Sequence, residues 1–199
     1  DSEELLKNCN VIAIGPGLGQ SAWSEQLLQR VYWEAEERDV PVIMDADALN
    51  LLTKLKLSSK LPKNLVITPH PGEAARLLKT DVADIEVDRF KSTLRLQEKF
   101  NATVVLKGAG SIIGYKKNGI MNYGICSAGN PGMAKGGMGD TLTGIIAGLI
   151  AQGFKLNEAS EIGVDLHSKA ADLASMEVGE IGLTPTDVID AMRELIKYD

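Results

Sequence analysis

Short apolar runs alternate with longer amphipathic stretches along this chain. Residues 11–15 (VIAIG), 40–45 (VPVIMD), 65–69 (LVITP) and 103–108 (TVVLKG) read as buried strands. Between them, residues 21–38, 48–55, 72–79 and 83–100 read as helices, the last two separated at Thr80-Asp81. In the first helix Trp23, Leu27, Leu28, Val31 and Ala35 fall near helical spacing. SIIGYK and residues 119–125 predict a hairpin around Lys117-Asn118-Gly119. A helix over 137–152 starts directly from a glycine run, and 156–177 and 186–197 predict two amphipathic helices. Strands alternating with helices define an α/β fold with a mostly parallel sheet. In such sheets ligands bind beyond the carboxyl ends of the strands. Gly15-Pro16-Gly17, Asp45-Ala46-Asp47, Pro69-His70-Pro71 and Lys107-Gly108 all fall at those ends. That is more special chemistry than a purely structural sheet requires.

Composition narrows the partners. The 199 residues fit one domain, 1–199, and 44% are hydrophobic, enough for a core. Acidic residues outnumber basic ones 27 to 21, for a net charge of −6, which argues against a nucleic-acid partner. No apolar run approaches the roughly 18 residues a membrane helix needs. The start, DSEELLKNCN, has no signal-peptide pattern. Cys9 and Cys126 have neither metal nor redox spacing, which suits a reducing cytoplasm. Only about ten residues precede the first strand. The expectation is an open sheet starting there, or a domain lacking its N-terminal part.

The glycines carry the strongest clue. Asn130-Pro131-Gly132-Met133-Ala134-Lys135-Gly136-Gly137-Met138-Gly139-Asp140-Thr141 packs four glycines into eight residues before a helix. Glycine lets backbone approach a ligand closely, and the helix start offers free N–H groups and positive charge to phosphate. Asp140 reads either as a helix cap or as a base facing a transferred phosphoryl group. This is no Walker A loop, since no G-K-[ST] occurs. The later spacing of Gly144 and Gly148 reads as close packing of the helix on the sheet. Gly15-Pro16-Gly17-Leu18-Gly19 departs from dinucleotide spacing and reads as a phosphate- or substrate-facing turn. Asp45 and Asp47 suit Mg²⁺ or polar substrate contacts, or a cap by Asp47. His70 is held rigidly between two prolines, and capping explains Glu73 well. Lys107-Gly108-Ala109-Gly110-Ser111 suits a nucleotide phosphate or ribose, or a plain turn. His167 reads as a packing residue, and Trp23 and Trp33 as structural.

Together GPGLG, DADALN, ITPHPGEAARLL, VVLKGAG and NPGMAKGGMGDTLTGIIAGL, in this order, resemble the ADP-dependent NAD(P)H-hydrate dehydratases, from Val11 to the C-terminus. The resemblance implies a ribokinase-like three-layer αβα sandwich with a mostly parallel sheet. It implies a lyase of metabolite repair acting on the S epimer of hydrated NADH or NADPH (NADHX or NADPHX). The hydroxyl is phosphorylated from ADP and phosphate is then eliminated, leaving NAD(P)H, AMP and phosphate. Carried over by motif, Gly15 or Gly17, Asp45 and His70 face the hydrated nucleotide. Lys107, Gly108, Ala109, Gly110, Ser111, Gly137 and Gly139 hold the adenine nucleotide, and Asp140 meets the reacting hydroxyl. Mg²⁺ is implied as cofactor, bridging phosphate oxygens with few protein ligands and several waters. A homo-oligomer, a tetramer by expectation, and fusion to or pairing with an epimerase for the same damaged cofactor are implied as well. Members normally carry several dozen residues before the GPGLG strand. The same glycine-rich site would also serve a small-molecule kinase with a stable phosphorylated product, or a non-catalytic nucleotide-binding module.

Overall fold

The structure is a computed structural model that describes residue 6, residues 8–54 and residues 61–197. Its sheet runs in simple sequence order. Strands β1 (Ile12–Ile14), β2 (Val42–Met44), β3 (Leu65–Ile67) and β4 (Thr103–Leu106) are parallel, with Ile12 opposite Val42 and Val42 opposite Leu65. The hairpin β5 (Ser111–Lys117) and β6 (Ile120–Cys126) then turns back antiparallel. Parallel neighbours need helical crossovers. These are α1 (Ala22–Arg38), α2 (Ala46–Lys54) and the series α3 (Pro71–Leu78), α4 (Val82–Val87) and α5 (Arg89–Phe100). After the hairpin come a 3₁₀ turn (Pro131–Met133), α6 (Met138–Ala151), α7 (Leu156–Gly182) and α8 (Pro185–Leu195).

Alternation along the strands builds the layers. Ile12, Ile14, Val42, Met44, Leu65, Ile67, Val104 and Leu106 face one way, onto Leu28 and Val31 of α1, Leu49 of α2, Leu77 of α3 and Leu96 of α5. Ile43, Val66, Val105 and Ile113 face the other way, onto Leu142, Ile146 and Ile150 of α6 and Val164 of α7. Burial on both faces is why the parallel strands read as unbroken apolar runs. The expected three-layer αβα arrangement is therefore present. A smaller cluster of Met138, Ala170, Ala171, Ala174, Leu183 and Val188 docks α8 against α7.

Five local readings change. The predicted helix 83–100 is two helices, because Asp88 leaves helical geometry (φ −145°) and accepts from the Lys91 N–H at 2.9 Å. The helix expected to end at 177 runs to Gly182, with non-helical backbone at Gly179. Trp23 and Trp33 are 63% and 53% exposed, so they are not core; Trp33 carries the Arg30 guanidinium 4.5 Å from its ring centre. Gly144 and Gly148 point away from the sheet, and a side chain there would meet open space. The close approach is at Gly163 of α7, where an added Cβ would lie 2.9 Å from Ile146. The helix expected over 48–55 starts two residues earlier, and its position 55 lies outside the described residues.

Candidate active site

Four strand ends and one helix start converge. Asp45 follows β2 directly and is 1% exposed. A buried carboxylate needs partners. One oxygen accepts from Lys107 Nζ at 2.7 Å and from the Ala46 N–H at 2.8 Å; the other accepts from the Thr143 hydroxyl at 3.0 Å. Asp45 thus ties the ends of β2 and β4 to the first turns of α6. Lys107 also lies 3.9 Å from Glu73, itself 5% exposed. A Cβ added to Gly139 would sit 3.2 Å from Lys107 Nζ and 3.4 Å from Asp45 Oδ2. The N-terminus of α6 is therefore seated directly on the Asp45–Lys107 pair, as the glycine run allows.

Asp140 is exposed in the first turn of α6. The helix is capped by Gly137 (φ +87°), with no side-chain cap bond, and the Asp140 carboxylate makes no hydrogen bond among the described residues. The capping alternative for Asp140 thus fails. Capping likewise fails for Asp47: its carboxylate instead accepts from the Gly19 N–H at 2.9 Å and from Gln20 at 3.2 Å, holding the GPGLG turn. Gly15 (φ +131°) is the tight point of that turn, because a Cβ there would lie 1.7 Å from the Asp45 carbonyl oxygen. Gly17 borders open space.

At the end of β3, His70 caps α3. Its Nδ1 accepts from the Gly72 N–H at 3.0 Å, which places the proton of a neutral ring on Nε2, 3.5 Å from Glu73 Oε1. Glu73 returns the contact by accepting from the His70 N–H at 2.8 Å, so its expected capping role holds. Desolvation lowers the His70 pKa, opposed by the Glu73 charge.

Beside this cluster lies a cavity of about 530 Å³, within the usual range for a small-ligand pocket. Residues 107–111 form one wall, Ser127 to Ala134 the opposite one, and Met138, Gly139 and Leu142 close the end. All five residues of the predicted KGAGS segment line it, with Gly139; Gly137 does not, and packs toward Pro185 instead. His167 is buried as expected but also lines this cavity, and its Nε2 has no hydrogen-bond partner among the described residues. Burial, aided by the Lys107 cation, lowers its pKa to about 4. A second cavity of about 540 Å³ opens near Lys63 and Asn101, at the amino ends of β3 and β4, away from every motif named above.

Sequence reading missed Thr143, the link from Glu73 to Lys107, and Asp172. The last accepts from the Gly129 N–H at 2.8 Å and from Asn130 at 2.9 Å, fixing the far cavity wall. It also missed Arg89, whose guanidinium reaches the 107–111 loop. No local pattern marks them, since each partner is distant in sequence.

A mostly parallel αβα sheet with a glycine-led helix start at its carboxyl edge is an architecture shared with the ribokinase-like class. A crystal structure of a ribokinase-like superfamily protein from Enterococcus faecalis matches it with a TM-score of 0.84 at 33% identity, covering 98% of this chain and 65% of that one. Within the class, the chain belongs to the family described as NAD(P)H-hydrate dehydratase, which matches residues 1–194. It is 46% identical over 196 residues to a bifunctional NAD(P)H-hydrate repair enzyme of Coxiella burnetii, covering 98% of this chain and 38% of that protein. It is 38% identical to an ADP-dependent (S)-NAD(P)H-hydrate dehydratase of Neisseria meningitidis, covering 98% of this chain and 66% of the relative. The ADP/ATP-dependent NAD(P)H-hydrate dehydratase of Bacillus subtilis, co-crystallised with ATP and Mg²⁺, matches with a TM-score of 0.80 at 30% identity over 95% of this chain and 64% of its own. The chain thus spans about two fifths to two thirds of the length of these relatives.

Proposed function

We propose that this chain carries the nucleotide-dependent dehydration of the S epimer of hydrated NADH or NADPH, a lyase reaction of metabolite repair with ADP as phosphoryl donor. The observation that carries the reading is the seat of α6. Its N-terminus rests on the Asp45–Lys107 pair, at the end of the 107–111 cavity, and presents Asp140 with no partner among the described residues. In this reading Lys107 to Ser111 and Gly139 hold ADP in the cavity. Gly15, Gly17 and His70 face the hydrated nicotinamide, Asp45 orients Lys107 from behind, and Gly137 shapes the helix start.

Asp140 accepts the proton of the substrate hydroxyl as its oxygen attacks the terminal phosphorus of ADP. The P–O bond to AMP breaks, with Lys107 and the helix N–H groups balancing the transferred charge. The new bond between ring carbon and phosphate oxygen then breaks with its electron pair leaving on phosphate, the neighbouring carbon gives its proton to solvent, and the ring double bond returns. The products are NAD(P)H, AMP and phosphate. Mg²⁺ belongs to the same reading and neutralises phosphate charge when bound. Among the described residues no three acidic, His or Cys side chains converge on a metal site. In this reading phosphate oxygens and water are its main ligands, with few from the protein, as suits an ion that dehydrates reluctantly.

A reducing cytoplasm fits two free cysteines, and among the described residues no helix is long and apolar enough to cross a membrane. Co-occurrence with an epimerase is supported by the bifunctional relatives. Self-association, with a tetramer expected, would cover the outward Ile120 and Ile125 of β6.

The test adds the protein to chemically hydrated NADH with Mg²⁺ and ADP and follows absorbance of the reduced nicotinamide. The expected result is a rise that requires ADP. Asp140→Asn lowers the rate by about 10²–10⁴-fold, as for loss of a general base, with an unchanged melting temperature. A stable phosphate ester in place of NADH would establish a kinase, and ADP binding without turnover a binding module. Parallel loss of folding and activity in the variant would return Asp140 to a structural role.

A further inference from the structure

We infer that Arg89 is a positioning residue that shapes the 107–111 loop into a cradle for the nucleotide phosphates, acting through the backbone without touching the nucleotide. The inference rests on the reading of that loop as the nucleotide site. Arg89 is the first residue of α5, and its side chain is 15% exposed. Its Nη2 donates toward three carbonyl oxygens, that of Leu106 at the end of β4 at 3.2 Å and those of Lys107 and Gly110 in the loop at 3.4 and 3.3 Å. Its Nη1 pairs with Glu86 at 3.3 Å. The loop curls so tightly about the guanidinium that a Cβ on Gly108 would lie 2.5 Å from Nη1.

Peptide units whose carbonyls are drawn to one side turn their N–H groups to the other. The N–H opposite the Lys107 carbonyl is that of Gly108 and finds no hydrogen-bond acceptor among the described residues, whereas the N–H opposite the Leu106 carbonyl, that of Lys107, is held by the Pro69 carbonyl at 2.9 Å. The next two N–H groups, of Ala109 and Gly110, are also without an acceptor among the described residues, and Gly108, Ala109 and Gly110 all line the cavity. Successive free N–H groups on a curved loop form an anion-binding concavity. Without the guanidinium, the same loop is free to present carbonyl oxygens to the phosphates and repel them. The fork geometry of arginine matters, because one planar group must satisfy several acceptors at once.

The test measures ADP affinity by calorimetry in the absence of turnover, with KM for ADP and for hydrated NADPH, and the melting temperature, in the whole polypeptide. Arg89→Met is expected to weaken ADP binding and raise its KM about tenfold or more, leaving KM for hydrated NADPH within about twofold. Arg89→Lys, with a compact head, falls between the two. Gly108→Ala, which pushes the loop off the guanidinium, reproduces the ADP defect and carries the test should Arg89→Met not fold. Unchanged ADP affinity in Arg89→Met overturns the inference. So does a parallel change in both KM values, in kcat and in melting temperature, which marks a merely structural residue. A parent protein that binds no ADP sinks the nucleotide reading itself, and the inference with it.

Discussion

His167 shows how a single buried side chain can make the molecule acid-sensitive. Its imidazole is 5% exposed, and burial next to the Lys107 cation lowers its pKa from 6.5 to about 4. Unfolding restores the ordinary value, so between pH 6.5 and 4 the unfolded chain binds a proton that the native state refuses. The associated stability is complete above pH 6.5 and is lost as the pH falls toward 4. The shift corresponds to about 3 kcal/mol. His70, whose pKa is lowered chiefly by desolvation, acts in the same direction but is half exposed. Melting temperatures measured from pH 8 to 4 should therefore fall on the acid side, and His167→Gln should flatten most of that limb. An equally steep limb in the variant would assign the acid sensitivity to other groups. The sequence placed His167 in a helix and read it as packing. Its position on a ligand cavity depends on α7 lying beside the 107–111 loop, which no local pattern encodes.

At the scale of elements, the turn after β1 separates two glycines that look equivalent in GPGLG. Gly15 adopts φ +131°, with the Asp45 carbonyl oxygen 1.7 Å from where a Cβ would stand. Gly17 adopts φ +64° in open space. Gly15→Ala should cost about 3 kcal/mol or more, because the β1 turn and the start of α2 must part. Gly17→Ala should cost only about 1 kcal/mol, the penalty of a left-handed residue. Chemical denaturation of the two variants checks the difference; equal losses would mean that β1 and α2 are not in the contact described. The motif was legible because glycines cluster there. Which glycine is indispensable was not, because the answer lies 30 residues away at Asp45. The same holds for α6. Its apolar face, Leu142, Ile146 and Ile150, was readable from spacing, whereas the outward position of Gly144 and Gly148 emerged only once that face was docked on the sheet.

Across the whole molecule, the cavity bridges two halves of the chain, the 107–111 loop of the sheet and the 127–142 segment leading into α6. A ligand that binds only when both are in place stabilises the fold by mass action. ADP at about 100 times its Kd should add about 2.7 kcal/mol, or roughly 5–10 °C in melting temperature for a chain of this size. A thermal shift assay reads this directly, and no shift at saturating ADP would argue that the cavity is not the nucleotide site. The sequence by itself determined the alternation of strands and helices, the parallel class of the sheet and the family motifs at its carboxyl edge. Apolar periodicity and glycine clusters are local signals, read within a few residues. Only the tertiary structure decided that Asp45 serves Lys107 and Thr143, that Asp140 caps no helix, and that Arg89 gathers carbonyls from the end of β4 and the following loop, 17 to 21 residues away. Those pairings form between elements brought together by packing. Their partners are chosen by burial, which removes water as an alternative hydrogen-bonding partner for each buried charge.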